Sequence, residues 1–326
     1  METTFLTTLA AVISLFLMSL AGYIMVRIRL LSKDALDDLS RLVLYISMPA
    51  LVLYTLIDKF DMNELRDSMV MPLGSIVITV IAGVVAFIGT RILFVEPEKR
   101  PFVGALVMFG NSGYLPIPLV MSILPKQQAE EAVILIFFFI LGFTPLMWSV
   151  GLYMIIHERG KSLTWKKLIT PPLVGIVVGT ALALIPSVKS FFKNDGYFFL
   201  KFFERLGDTL VPLVMILLGG VMATINIPRH HLKRTWITVG KVFFMRMLIL
   251  PAVAMTILYF LPLPNMIRFI LAIQAMVPPA VNLIVIARTF KRPTNLISLS
   301  QLGTYIMAIA TLPVMIHIAL KLFPLS

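Results

Sequence analysis

Ten stretches of the chain run almost free of charge: 5–26, 42–57, 70–94, 102–124, 132–156, 168–188, 210–225, 236–261, 266–287 and 296–320. About 20 apolar residues in a helix span the hydrocarbon layer of a bilayer. Backbone in lipid must also satisfy its own polar groups, which favours helices. Runs of this length between short charged loops predict an all-α membrane protein of ten transmembrane helices. Several runs are short for a full crossing, and amphipathic approaches at 35–41 and 198–206 lengthen them. The composition agrees, with 59% hydrophobic and 13% charged residues, against about 25% charged in a soluble domain. A cytosolic enzyme, a secreted disulfide scaffold and a nucleic-acid-binding protein are thereby excluded. Cysteine is absent, which removes thiolate metal sites and cysteine nucleophiles.

The net charge of +12 lies between the apolar runs and serves as a topology signal. Eighteen Lys and Arg residues flank the loops after runs 1, 3, 5, 7 and 9, and nine flank the other loops and the C-terminus. Positive residues concentrate on the cytoplasmic side, so both termini are expected outside, in the plasma (inner) membrane. The segment after run 6 is the exception, with four basic residues on the outer side. The first run begins METT, with an acidic residue where a signal peptide is positive, and is read as a retained span.

The halves 1–163 and 164–326 look related. Pro49 and Pro212, and likewise Pro116 and Pro279, stand 163 positions apart. The first and third inter-helix loops of one half, and the second and fourth of the other, carry the cytoplasmic charge. Two copies of a five-span unit must insert upside down relative to each other, which is the inverted-repeat plan of secondary transporters.

Two runs break their own helix. The fourth reads GNSGYLPIPLV, with Gly110, Asn111, Gly113, Pro116 and Pro118; the ninth reads QAMVPPAVN, with Gln274, Pro278, Pro279 and Asn282. Each proline lacks an N–H and clashes with the carbonyl four residues back, freeing the carbonyls of Ser112, Tyr114, Gln274 and Ala275. Such backbone must be buried in protein or line a wet cavity. New helix N-termini near the midplane favour an anion. Lone prolines such as Pro145, Pro251 and Pro313 are read as simple kinks. The paired prolines are read as a binding site.

These residues carry a resemblance. Asn111-x-Gly113 with Pro118, PPAVN followed by Ala287, MPALVLYTL in run 2, PPLVGIVVG in run 6 and LVPLVMILLGG in run 7 resemble the auxin efflux carrier family. That family includes the plant PIN proteins and bacterial carriers similar to malonate transporters. The resemblance implies a ten-span fold of two inverted five-span repeats with a scaffold part and a transport part, in a plan shared with bile acid symporters. It implies that spans 4 and 9 are broken and cross, with substrate beside the crossing, at Asn111, Pro116, Pro118, Pro278, Pro279 and Asn282. Pro116 departs from the family pattern, which has glycine there.

All 16 acidic residues lie at or before Asp208. None sits centrally in runs 4, 5, 9 or 10, where a cation exchanger would hold its ions. Amides, hydroxyls and helix ends suit an organic anion instead. Arg246 is the one charge deep in a run, about 16 Å from its start at 1.5 Å per residue. It is expected to balance substrate charge, satisfy freed carbonyls, pair with Asp208 or snorkel. His157, His230 and His231 fall in loops and His317 near an outer end, so no proton relay is expected. Gly175 and Gly179 read as helix packing, Ser32 as a helix cap, and Ile136 to Phe139 as lipid-facing or core.

The expected function is secondary transport of small organic anions, such as malonate, malate or auxin-like acids, by an elevator or rocking motion. No cofactor, catalytic residue, metal or nucleic-acid partner is expected, and a homodimer is left open. The rivals are a Na⁺-coupled carrier similar to the bile acid symporters, a non-transporting sensor core and an intramembrane enzyme. The last would need a polar cluster that this sequence lacks.

Overall fold

The computed structural model describes residues 5–59, 68–156, 171–225, 232–290 and 292–325. His157, His230, His231 and the start of the sixth run, 168–170, lie outside them. In chain order the helices are α1 (Phe5–Arg27), α2 (33–59), α3 (Val70–Ile92), α4 (Arg100–Met108), α5 (Pro116–Ile123), α6 (Lys126–Ile156) and α7 (Pro171–Ala183). They continue with α8 (Pro186–Lys193), α9 (Tyr197–Ala223), α10 (232–260), α11 (Asn265–Met276), α12 (Asn282–Thr289) and α13 (Asn295–Leu322). The described residues hold no β-strand, only one isolated bridge between Gly110 and Pro279.

Among the described residues seven helices are long and apolar enough to cross a membrane, and eight spans result when α7 and α8, which meet at 92°, are taken together. The two runs expected to break are divided. The fourth run divides into α4 and α5, of 9 and 8 residues, and the ninth into α11 and α12, of 12 and 8. At 1.5 Å per residue none of these pieces spans a bilayer alone. Pro116 opens α5 at a position where a missing N–H costs nothing, which explains why this chain tolerates proline there.

Three other prolines leave their helices continuous. π-helical turns at Val43–Ser47, Met147–Gly151 and Phe244–Ile249 accompany Pro49, Pro145 and Pro251. The widened turns before Pro49 and Pro251 take up the mismatch that those prolines introduce; the one at Met147–Gly151 follows Pro145. Pro313 sits inside an unbroken α13. Ser32 caps α2 by accepting from the Ala35 N–H at 3.1 Å.

Burial separates centre from rim. Residues 132–140 of α6, including Ile136 to Phe139, are all buried, so that aromatic cluster belongs to the core. α11 is buried from Met266 onward except at Arg268. By contrast α1 and α3 present Leu17, Leu20, Val80 and Phe87 outward, as lipid-facing helices do. α1 packs chiefly on the second half of α9, and α2 packs on α7 and on the first half of α9. α3 packs on α6, and α10 on α13. Gly175 and Gly179 meet Pro49 and Leu56 of α2 at ordinary to tight contact distance, so they serve helix approach.

Candidate transport site at the crossed breaks

The two interruptions, 109–115 and 277–281, meet. The Asn111 N–H donates to the Pro278 carbonyl at 2.8 Å and the Ala280 N–H to the Phe109 carbonyl at 2.9 Å. Each break thus supplies what the other has lost, as an antiparallel pair one residue long on each side. Buried backbone groups left open would cost about 1–3 kcal/mol apiece, and two rungs do not satisfy all of them. Side chains complete the set. Gln274 donates through Nε2 to the Ser112 carbonyl at 3.1 Å, and Gln301 to the Ala280 carbonyl at 2.5 Å.

Arg246 holds three more carbonyls. Its Nε donates to Val277, Nη1 to Val107 and Nη2 to Gln274, all to carbonyls, at 2.8, 2.9 and 3.1 Å. One planar guanidinium therefore ties the last turn of α4 to the last turn of α11. The side chain is 1% exposed. Among the described residues no carboxylate pairs with it, and Asp208 is exposed elsewhere. Of the roles the sequence left open, the geometry assigns the capping of freed carbonyls. Arg246 lies in the π-helical turn of α10, where the extra residue per turn re-aims side chains relative to the flanking helix.

Asn111 is fixed at both ends. Its Oδ1 accepts from the Tyr114 N–H at 3.2 Å, and its Nδ2 donates to the Tyr305 hydroxyl of α13 at 2.6 Å. The local Asn turn gives the break a defined shape.

A cavity of about 300 Å³ opens beside the crossing. Residues 110–114 and 280–282 form one wall, Ile140, Phe143, Thr144, Met147 and Trp148 of α6 a second, and Ser40, Leu44 and Met48 of α2 a third. Of the residues singled out in the sequence, Gly110, Asn111, Gly113 and Asn282 line it. Pro116, Pro118, Gln274, Pro278, Pro279 and Arg246 stand behind the lining. The prolines shape the breaks, and Gln274 and Arg246 cap them. The α2 and α6 walls were missed, because nothing in an apolar run marks which face meets a cavity. Gln301 and Tyr305 had a signal, the polar string SLSQLGTY inside the tenth run.

The electrostatics lean one way. No lining residue is acidic. α12 starts at Asn282 and α5 starts two residues after Tyr114, so two helix N-termini, each with partial positive charge, lie at the cavity edge. A Cβ placed on Gly110 would lie 1.8 Å from Arg246 Nη2, and Gly110 itself lines the cavity. The full positive charge of Arg246 therefore sits one glycine behind the wall. Its field favours an anion there.

A family model described as "Membrane transport protein" matches residues 7–164 and 156–316 of the chain. An uncharacterized transporter of Methanothermobacter thermautotrophicus is 23% identical over 312 residues, covering 95% of this chain and 97% of its own. One from Methanocaldococcus jannaschii is 22% identical over 295 residues, covering 89% and 91%. Protein PIN-LIKES 5 of Arabidopsis thaliana is 22% identical, covering 95% and 96%. The crossed, broken helices thus sit in a multi-pass membrane protein that belongs to the membrane transport family of the auxin efflux carriers.

Proposed function

We propose that the protein is a secondary transporter of small organic anions, binding a carboxylate beside the crossing and moving it by alternating access across the plasma membrane, with both termini outside. The observation that carries this reading is the charge of Arg246 immediately behind Gly110, facing a cavity without an acidic side chain. Asn111, Gly113 and Asn282 touch the substrate. Gln274, Pro278, Pro279, Pro116 and Pro118 hold the breaks open, and Arg246 supplies field without contact. The apolar remainder of the cavity, from Leu44, Met48, Phe143 and Trp148, accepts the organic body of a malonate-like or auxin-like acid. Residues 1–163 and 164–326 act as inverted copies, so that rocking or elevator movement of the crossing exposes the site to either side in turn.

Replacing Asn111 by Ala tests the site. It should abolish saturable uptake of the cognate carboxylate into proteoliposomes at near-normal expression, with stability lowered by about 1–3 kcal/mol for the lost bonds to Tyr114 and Tyr305. Tyr305→Phe, which loses one of those bonds and keeps the Asn111 side chain, is the control for that loss. Full uptake by the variant would remove Asn111 from the site.

Cation coupling is a second reading with one observation in its favour. Gln274 Oε1, Gln301 Oε1 and Ser300 Oγ are buried near the crossing without a hydrogen-bond partner, and oxygen ligands of this kind suit a hard cation. The neighbouring guanidinium opposes it. Uptake that rises with Na⁺ would favour this reading, and uptake indifferent to Na⁺ removes it.

A further inference from the structure

α1 and the second half of α9 run side by side in the same direction, with Gly22 against Ile216 and Gly220 against Val26. On the flank that meets α13 they leave an apolar groove of about 460 Å³, walled by Ile13, Leu17, Leu20, Met222, Tyr305 and Ile306. Leu17, Leu20 and Ile306 are exposed at its rim, so the groove opens sideways, where the bilayer lies. From Ile13 to Tyr23 it covers eleven residues of α1, a rise of about 15 Å, which is the depth of one leaflet.

One helical turn beyond Tyr23, the same two helices wall a second cavity of about 550 Å³, whose lining includes Arg27, Arg29, Ser32, Lys33 and Thr224. Its character is the reverse of the first, with three basic side chains. None of them forms a salt bridge among the described residues. The acids of the neighbouring turn, Asp34, Asp37 and Asp38, do not line it, and Asp38 is taken by Arg41 at 3.4 Å. Arg29 holds φ of +63°, an uncommon conformation for a residue other than glycine. That turn folds the chain back so that Arg27, Arg29 and Lys33 bound one cup.

We infer that this groove and the cup one turn beyond it together form a binding site for one anionic phospholipid, with an acyl chain along α1, α9 and α13 and the phosphate among Arg27, Arg29 and Lys33. Two features argue for this occupant over a neutral lipid or a free anion. The apolar part matches one leaflet in depth, and the basic part stands where the headgroup layer begins, adding attraction for negative charge. The acyl chain packs on the ring of Tyr305, whose hydroxyl accepts from Asn111, so the lipid abuts the residue that fixes the transport site.

The test uses the purified full chain in detergent, with dioleoyl phosphatidylglycerol, dioleoyl phosphatidylcholine and glycerol 1-phosphate as probes. Binding is read by native mass spectrometry and melting temperature. Phosphatidylglycerol should bind about tenfold or more tightly than phosphatidylcholine, and glycerol 1-phosphate should leave melting unchanged. The variant carrying Arg27→Gln, Arg29→Asn and Lys33→Gln should lose the preference at an unchanged lipid-free melting temperature, asparagine being tolerant of positive φ. Ile306→Trp, which fills the groove, should weaken both lipids. Should the triple variant melt early, Arg27→Gln alone together with Ile306→Trp carries the test. Equal affinity for the two lipids, a preference that survives loss of the charges, or a response to glycerol 1-phosphate equal to that for the lipid would each overturn the assignment.

Discussion

Gly110→Ala is the smallest change that probes how the crossing is held. The new methyl would stand 1.8 Å from Arg246 Nη2, 2.8 Å from its Cζ and 3.0 Å from Val277 Cγ2. A free arginine end would swing aside, but this one is pinned by three carbonyls on two chain segments. Moving it gives up at least the bond from Nη2 to Gln274, about 1.5–3 kcal/mol for a charged donor. Overpacking at a site this tight adds about 1–3 kcal/mol. The expected loss is therefore about 2.5–6 kcal/mol. Gly240→Ala is the control, because a methyl there meets nothing within 4 Å, and helix propensity predicts a gain of up to about 1 kcal/mol. The decisive comparison is a double-mutant cycle with Arg246→Met, followed by reversible denaturant titration in one detergent. Methionine is flexible and unpinned, so the cost of Gly110→Ala should fall by about 1.5 kcal/mol or more in that background. Additive effects, within about 0.5 kcal/mol, would refute the claim that the guanidinium is locked behind Gly110.

Tyr305→Phe removes the acceptor for Asn111 Nδ2 and leaves the cavity lining unchanged; a loss of about 1 kcal/mol should raise the half-saturating substrate concentration about fivefold, read from uptake kinetics. At Gly113 an added Cβ would touch Ile140 and Met48 at 3.4 Å, an ordinary contact. Gly113→Ala should therefore transport, whereas Gly113→Leu, projecting among the lining side chains, should abolish uptake at normal expression.

The parts of this fold that were legible in the sequence are those set by local chemistry. The proline pairs mark where α5 starts and where α11 stops, because a missing N–H is a property of the residue itself. Asn111 and Asn282 stood out as amides in apolar surroundings, and both line the cavity. The 92° turn between α7 and α8 was not foreseen, although Pro186 could have suggested a new helix start. Pairing of Asn111 with Pro278 and of Phe109 with Ala280 joins positions more than 160 residues apart, and no local pattern specifies such partners. The role of Arg246 was legible only as a set of options. A buried charge must be compensated, but which carbonyls compensate it depends on how α10 lies against both breaks. For the same reason Trp148 and Met48 gave no sign of facing a cavity.

The account stands or falls on the sign of the charge that the cavity accepts. Proteoliposomes containing the wild-type chain, challenged with matched panels of labelled carboxylates and amines of similar size, measure this directly. Saturable uptake of at least one carboxylate, competed by other carboxylates, untouched by the amines and lost in Asn111→Ala, is the expected result. Uptake of an amine in preference to every carboxylate, or carboxylate uptake that persists undiminished in Asn111→Ala, would contradict a site built around the field of Arg246.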